Sequence, residues 1–195
     1  MDYKTYIKEY LSKDMNTFQK LNLEEINRAM QAIYDTWYRG ASVFVMGNGG
    51  SAATASHMVC DFNKGISLST GRKFKLICLN DNIPIMTAIA NDISYDKIFE
   101  IQMKDVITKD DLVLAISGSG NSKNIINGIT YAKSIGAKVI GMTGFHGGKL
   151  GELADYHLHV PVEDMQVTED FHMIFVHMMM KVFSQPEDRY QKIDK

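Results

Sequence analysis

The sequence predicts an α/β protein: a three-layer α/β/α sandwich on a five-stranded parallel sheet, with extra helices ahead of the sheet. Three observations carry this. Five short, continuous apolar runs recur along the chain, as expected of strands buried on both faces. Stretches of helical length and periodicity separate them, the alternation that builds crossover connections between parallel strands. Two of the apolar runs end in glycine- and serine-rich turns that open a helix, at the end of the sheet where open α/β folds bind ligands.

The elements follow in order. Residues 2–38 read as helical. Tyr6, Tyr10 and Leu11 mark one apolar stripe; after a break near Ser12–Asn16, Ile26, Met30, Ile33, Tyr34 and Trp37 mark a second, and Gly40 ends it. Because they precede the first strand, these helices are expected to be an appendage to the sheet. An exposed apolar stripe on them favours self-association. Strands are expected at 41–46, 74–79, 111–116, 138–143 and 156–160. Helices are expected at 51–62, 84–90, 97–107, 122–135 and 165–184. Met178–Met180 should fill a buried or intersubunit surface. Pro186 should end the last helix and release the tail. The 195 residues suit one domain with a substantial core: N-terminal helices at 1–40, an α/β core at 41–184 and a tail at 185–195.

Composition excludes several classes. Hydrophobic residues make up 45% and charged residues 23% of the chain, ordinary for a soluble globular protein. A net charge of −2 argues against a general nucleic-acid surface. No run approaches the roughly 18–20 apolar residues of a membrane span, and the N-terminus lacks a signal-peptide pattern. Cys60 and Cys78 form no CxxC pair, which fits a reducing compartment. A cytoplasmic protein with no membrane or nucleic-acid partner is expected.

The two turns are Gly47-Asn48-Gly49-Gly50-Ser51 and Ser117-Gly118-Ser119-Gly120-Asn121-Ser122. Each offers backbone N–H groups and hydroxyls at a helix N-terminus, where the dipole favours an anion. Ser51 and Ser122 are placed to cap the helices that follow. Two such turns on neighbouring strands point to a phosphorylated ligand. No GxxxxGK[ST] is present, which excludes a P-loop. Gly47–Ala52 fits the GxGxxA variant of the dinucleotide fingerprint, yet the nearest acidic residue, Asp81, lies 34 positions after Gly47 instead of about 20. That fingerprint also leaves the second serine turn unexplained, so dinucleotide binding stays a minority alternative and no nucleotide cofactor is expected.

His57 and Asp61 are four apart and share a helix face. Glu169 and His177 are eight apart on one broad side of helix 165–184, with His172 between them. Two imidazoles and two carboxylates can act as an acid–base pair or ligate a divalent ion such as zinc.

Taken in order, several features resemble the sugar isomerase (SIS) domain family, and more narrowly its phosphoheptose isomerases. They are Gly47–Ser51, His57 with a carboxylate four residues on, Ile116–Ser122, Thr143-Gly144 with Gly147–Leu150, and Glu169…His172…His177. The likeness spans about residues 20–183. It implies a flavodoxin-like SIS fold assembled as a homotetramer with sites between subunits. It also implies isomerisation of sedoheptulose 7-phosphate to D-glycero-D-manno-heptose 7-phosphate through an enediol. By matching position, Asp61 is the base and His177 assists. Ser51, Ser117, Ser119 and Ser122 hold the phosphate, while Asn48, Gly49, Asn91, Asp92 and Glu169 contact or border the sugar. Some members bind zinc at the positions of His57, Asp61, Glu169 and His177, so one divalent ion per site is implied. The chain departs from the family pattern with Asp61 in place of Glu, Glu169 in place of Gln, Gly118 in place of Thr, and Lys64 near a position usually held by Arg. The first two changes leave two histidines and two carboxylates, a better set for a divalent ion. An alternative is a non-catalytic SIS protein that binds a phosphosugar or a protein partner of the replication-initiator-binding type, to which Ala88-Ile89-Ala90-Asn91-Asp92 is similar. The presence of His177 favours catalysis.

Overall fold

All five strands run the same way. A computed structural model of the chain describes residues 1–185, so the tail with Pro186 lies outside the described residues. The strands are β1 (Val43–Gly47), β2 (Leu76–Cys78), β3 (Leu112–Ile116), β4 (Lys138–Thr143) and β5 (Tyr156–His159). Their order in the sheet is β2-β1-β3-β4-β5, every pair parallel. The helices are α1 (Lys4–Phe18), α2 (Leu23–Arg39), α3 (Gly50–Cys60), α4 (Ser67–Thr70), α5 (Ile83–Asp92), α6 (Ile98–Met103), α7 (Lys123–Ile135), α8 (Gly148–Leu153) and α9 (Met165–Phe183). Among the described residues, none is long and apolar enough to cross a membrane.

The pleat divides the apolar runs between two cores. Val43, Val45, Leu112, Leu114 and Ile116 face a core closed by α2, α3 and α9. Phe44, Met46, Val113 and Ala115 face a second core closed by α6, α7 and α8. Alternate residues must point to opposite faces, so a strand covered on both sides is apolar throughout. This is why the runs were continuous in the sequence.

The N-terminal helices differ from the expected appendage. Ile26, Ala29, Ile33 and Trp37 of α2 are buried in the first core, and Trp37 stacks on Phe74 with ring centroids 4.9 Å apart. Helix α2 is thus part of the sandwich, and only α1 stands outside it. Thr17 is the only buried residue of α1. Tyr10 and Lys13 fasten α1 to Asp170 and Asp164 at the start of α9, and Phe18 packs on Phe171. The break expected near Ser12–Asn16 falls inside α1. The chain turns at 19–22 instead, where Asn22 caps α2 by accepting from the Glu24 and Glu25 N–H groups.

Two more elements depart from expectation. The helix expected at 51–62 widens after Cys60 into a π-helical turn over Asp61–Ile66, then continues as α4. The Asn63 amide ties this turn to the sheet. It accepts from Leu76 N–H at 2.9 Å and donates to Leu76 C=O at 2.8 Å, binding edge strand β2 like a further strand. The helix expected at 97–107 divides into a 3₁₀ turn at Tyr95–Lys97 and the short α6. Helix α8, opened by Gly147 and Gly148, was not foreseen.

Candidate active site

Strands β1 and β3 are neighbours, and Gly47 lies opposite Ile116 in their register. Both serine-containing turns therefore leave the sheet at one level and side by side. Between them is a cleft of about 300 Å³ lined by Asn48, Gly49, Ser51, Ser117, Ser119, Ser122, Met165 and Glu169, among others. Gly118 C=O accepts from Gly144 N–H at 2.8 Å, and Ser117 N–H donates to Met142 C=O at 3.0 Å. The second turn is thereby tied to β4.

Neither serine acts as the expected cap. Gly49, at φ +54°, is the N-cap of α3, and Ser51 lies inside its first turn. Ser122 occupies the N-cap position of α7 without a capping bond, and its hydroxyl sits 3.4 Å from that of Ser117. Both residues line the cleft and neither hydroxyl caps its helix, an arrangement that suits anion binding better than capping.

Helices α3 and α9 lie alongside each other and run in the same direction. Gly50 meets Glu169 near their starts, and a Cβ on Gly50 would fall 2.6 Å from Glu169 Oε1. Two turns further along, His57 Nε2 lies 3.0 Å from His177 Nε2 and 3.3 Å from Asp61 Oδ2. The imidazole planes are nearly perpendicular, at 78°. His57, Asp61 and His177 can all offer ligand atoms within 4.8 Å of one another. Glu169 is outside that group. Eight residues of helix rise about 12 Å, so Glu169 lies with the first glycine-rich turn while His177 belongs to the histidine–carboxylate group.

Other expected residues take different places. Asn91 and Asp92 sit exposed at the end of α5 and hydrogen-bond to each other at 2.8 Å, outside the ring that lines the cleft. Lys64 is exposed in the π-helical turn. At Gly118 a Cβ would meet Met165 Sδ at 2.6 Å, so a methionine occupies the space of the side chain that the resemblance leads one to expect there. His172 is not part of the His57–Asp61–His177 group and has 1% of its surface exposed. Burial pushes its pKa down to about 4, opposed weakly by the Thr143 backbone. Neither ring nitrogen reaches full hydrogen-bond geometry, so it is neutral. On β5 burial and the neighbouring His159 likewise lower the pKa of His157.

Three residues not singled out from sequence shape the first turn. Asn80 accepts from Gly47 N–H at 3.1 Å and donates to Gly47 C=O at 2.8 Å. Its position just after a strand run was a usable signal. Asn124 and Tyr95 bind the side chain of Asn48. Nothing in their local sequence marks that contact.

Comparison with known proteins places the sequence and the fold. The SIS domain family model matches residues 3–144. The phosphoheptose isomerase of Aliarcobacter butzleri is 36% identical over 174 residues, covering 89% of each chain. The solved structure of phosphoheptose isomerase from Neisseria gonorrhoeae aligns with a TM-score of 0.85 at 25% identity, covering 93% of this chain and 98% of that one. That of the Francisella tularensis phosphoheptose isomerase aligns at 0.87 and 26%, covering 95% and 100%.

Proposed function

We infer, because the chain belongs to the SIS domain family and within it to the phosphoheptose isomerases, that it interconverts sedoheptulose 7-phosphate and D-glycero-D-manno-heptose 7-phosphate. The observation that carries this reading is the pairing of two stations on α3 and α9. A hydroxyl-lined anion cleft lies at their starts, and a carboxylate with two imidazoles lies two turns on.

The chemistry follows from that layout. Ser51, Ser117, Ser119 and Ser122, with the N–H groups of both turns, hold the phosphate. Glu169 accepts from sugar hydroxyls. Asp61 takes a proton from C1 of the open-chain ketose while the C2 oxygen gains one, which gives the enediol. Returning a proton to C2 while O1 loses its own gives the aldehyde. His177 carries the proton between the two oxygens. The oxidation at one carbon balances the reduction at the next, so no nucleotide cofactor is needed.

The donor set also fits a divalent ion. Ligand atoms about 2.0–2.1 Å from a tetrahedral zinc lie about 3.3 Å apart, close to the 3.0 and 3.3 Å separations at His57. We assign His57, Asp61 and His177 as its holders. When bound, the ion would stabilise negative charge on the substrate oxygen. Glu169 stays with the sugar.

A homotetramer with sites between subunits is supported by α1, whose Tyr6, Ile7, Leu11 and Met15 are each more than half exposed. A cytoplasmic location is supported by two free cysteines.

Incubating the purified protein with sedoheptulose 7-phosphate, with and without zinc, tests the assignment. Aldose product should form, and Asp61→Asn should lower kcat by about 10²–10⁴-fold with an unchanged circular dichroism spectrum. No product under either condition would overturn it.

A further inference from the structure

We propose that Asn124 is a positioning residue: buried on α7, it fixes which end of the Asn48 amide faces the sugar. Asn124 is 2% exposed. Its Oδ1 accepts from the backbone N–H of Ile125 at 2.9 Å. A backbone N–H can only donate, so this bond decides which end of the Asn124 amide is oxygen. Its Nδ2 then donates to Asn48 Oδ1 at 2.8 Å, and its Oδ1 accepts from Asn48 Nδ2 at 2.9 Å. The two amides close a reciprocal pair.

The Tyr95 hydroxyl donates to the same Asn48 Oδ1 at 2.9 Å. An amide oxygen has two lone pairs, so the acceptor of Asn48 is saturated. One Asn48 N–H is committed to Asn124, and the other is left for the cleft that Asn48 lines. Asn48 therefore meets a ligand as a donor only. It selects an acceptor oxygen at that point, a carbonyl or the enediolate oxygen that develops from it. It gives nothing to a hydroxyl that must donate.

Helix α7 sets both partners of Asn48. Asn127, one turn after Asn124, donates to Asp96 C=O at 2.9 Å, which holds the 3₁₀ turn that carries Tyr95. The identity of the acceptor as a sugar carbonyl rests on the isomerase reading. The donor-only polarity of Asn48 does not.

Two variants and two ligands test this. Asn124→Leu keeps the size of the side chain and removes both amide groups. Tyr95→Phe removes only a hydroxyl from a half-exposed ring. Calorimetry with inorganic phosphate and with sedoheptulose 7-phosphate is combined with turnover and thermal melts. Asn124→Leu should lower kcat by roughly 10- to 100-fold, less than the roughly 10²–10³-fold that outright loss of an oxyanion donor costs, because the Asn48 amide stays and only its orientation is released. Its affinity for the ketose phosphate should fall about fivefold, with phosphate affinity held within about twofold. Tyr95→Phe should lower kcat by about three- to fivefold with phosphate affinity and melting temperature unchanged. Equal loss of phosphate and ketose phosphate affinity in both variants would overturn the proposal, because the turn itself would have collapsed. Unchanged kcat and ketose affinity would overturn it too, as would a wild type that binds the ketose phosphate no tighter than phosphate. A wild type that binds the ketose phosphate selectively yet forms no aldose would overturn only the isomerase reading, while the binding split would still decide the role of Asn124.

Discussion

At Gly50 the lack of a side chain is what admits the Glu169 carboxylate to the first turn, since a Cβ would fall 2.6 and 2.7 Å from its two oxygens. The Gly50 backbone lies in the right-handed first turn of α3, where alanine is at no conformational disadvantage. Gly50→Ala should leave the melting temperature within a few degrees of wild type while Glu169 swings out of the cleft. We expect kcat/KM to fall about 10-fold or more, and Glu169→Ala to add little to that loss in a double-mutant cycle. His172 controls stability instead. Its pKa is about 4 in the fold against roughly 6.5 when unfolded, so between those values the unfolded chain binds the extra proton. Stability is full above about pH 6.5 and falls as the pH drops toward 4, by up to about 3 kcal/mol from this group. His157, also lowered, acts with the same sign. Urea midpoints at pH 7 and pH 4.5 should show the drop, and His172→Leu should flatten it.

Side-chain amides do the work of strand neighbours where the sheet stops. Asn63 binds both backbone groups of Leu76, and Asn80 binds both backbone groups of Gly47. The first bond pair holds the π-helical turn against edge strand β2, and Asp61 begins that turn. A π turn changes the direction in which the following side chains leave a helix, and such turns recur at functional sites. Asn63→Ala removes two hydrogen bonds and leaves a partly buried strand edge unpaired. We expect it to cost about 2 kcal/mol in urea unfolding and to reduce kcat through Asp61, with phosphate binding retained. Loss of stability with full kcat would separate the turn from the chemistry.

Across the molecule, α1 is the element the rest does not explain. It is held at its polar side by Tyr10 and Lys13 and offers apolar residues to its surroundings. Replacing Tyr6 and Leu11 together with lysine should lower the sedimenting mass toward that of one 22.0 kDa chain without loss of helix signal. The strands, the two turns and the direction of the sheet were readable in the sequence, because a strand covered on both faces must be a continuous apolar run and a tight turn must be rich in glycine. The helix break at 19–22 was misplaced because Ser12–Asn16 is polar but contains no residue that forbids a helix. Ser51 and Ser122 were expected to cap their helices as well as to meet a ligand, and only the capping role fails, because sequence spacing does not show which way a hydroxyl turns. Sequence alone thus determined the architecture, the two glycine- and serine-rich turns and the types of residue gathered near them, since these depend on local periodicity and residue type. Tertiary structure alone decided that His57, Asp61 and His177 form one group while Glu169 joins the turn at Gly50. It also decided that Asn124 and Tyr95 orient Asn48. Those choices depend on how two parallel helices register against each other and on which distant amide faces which, and neither distance is written in the spacing of residues along the chain.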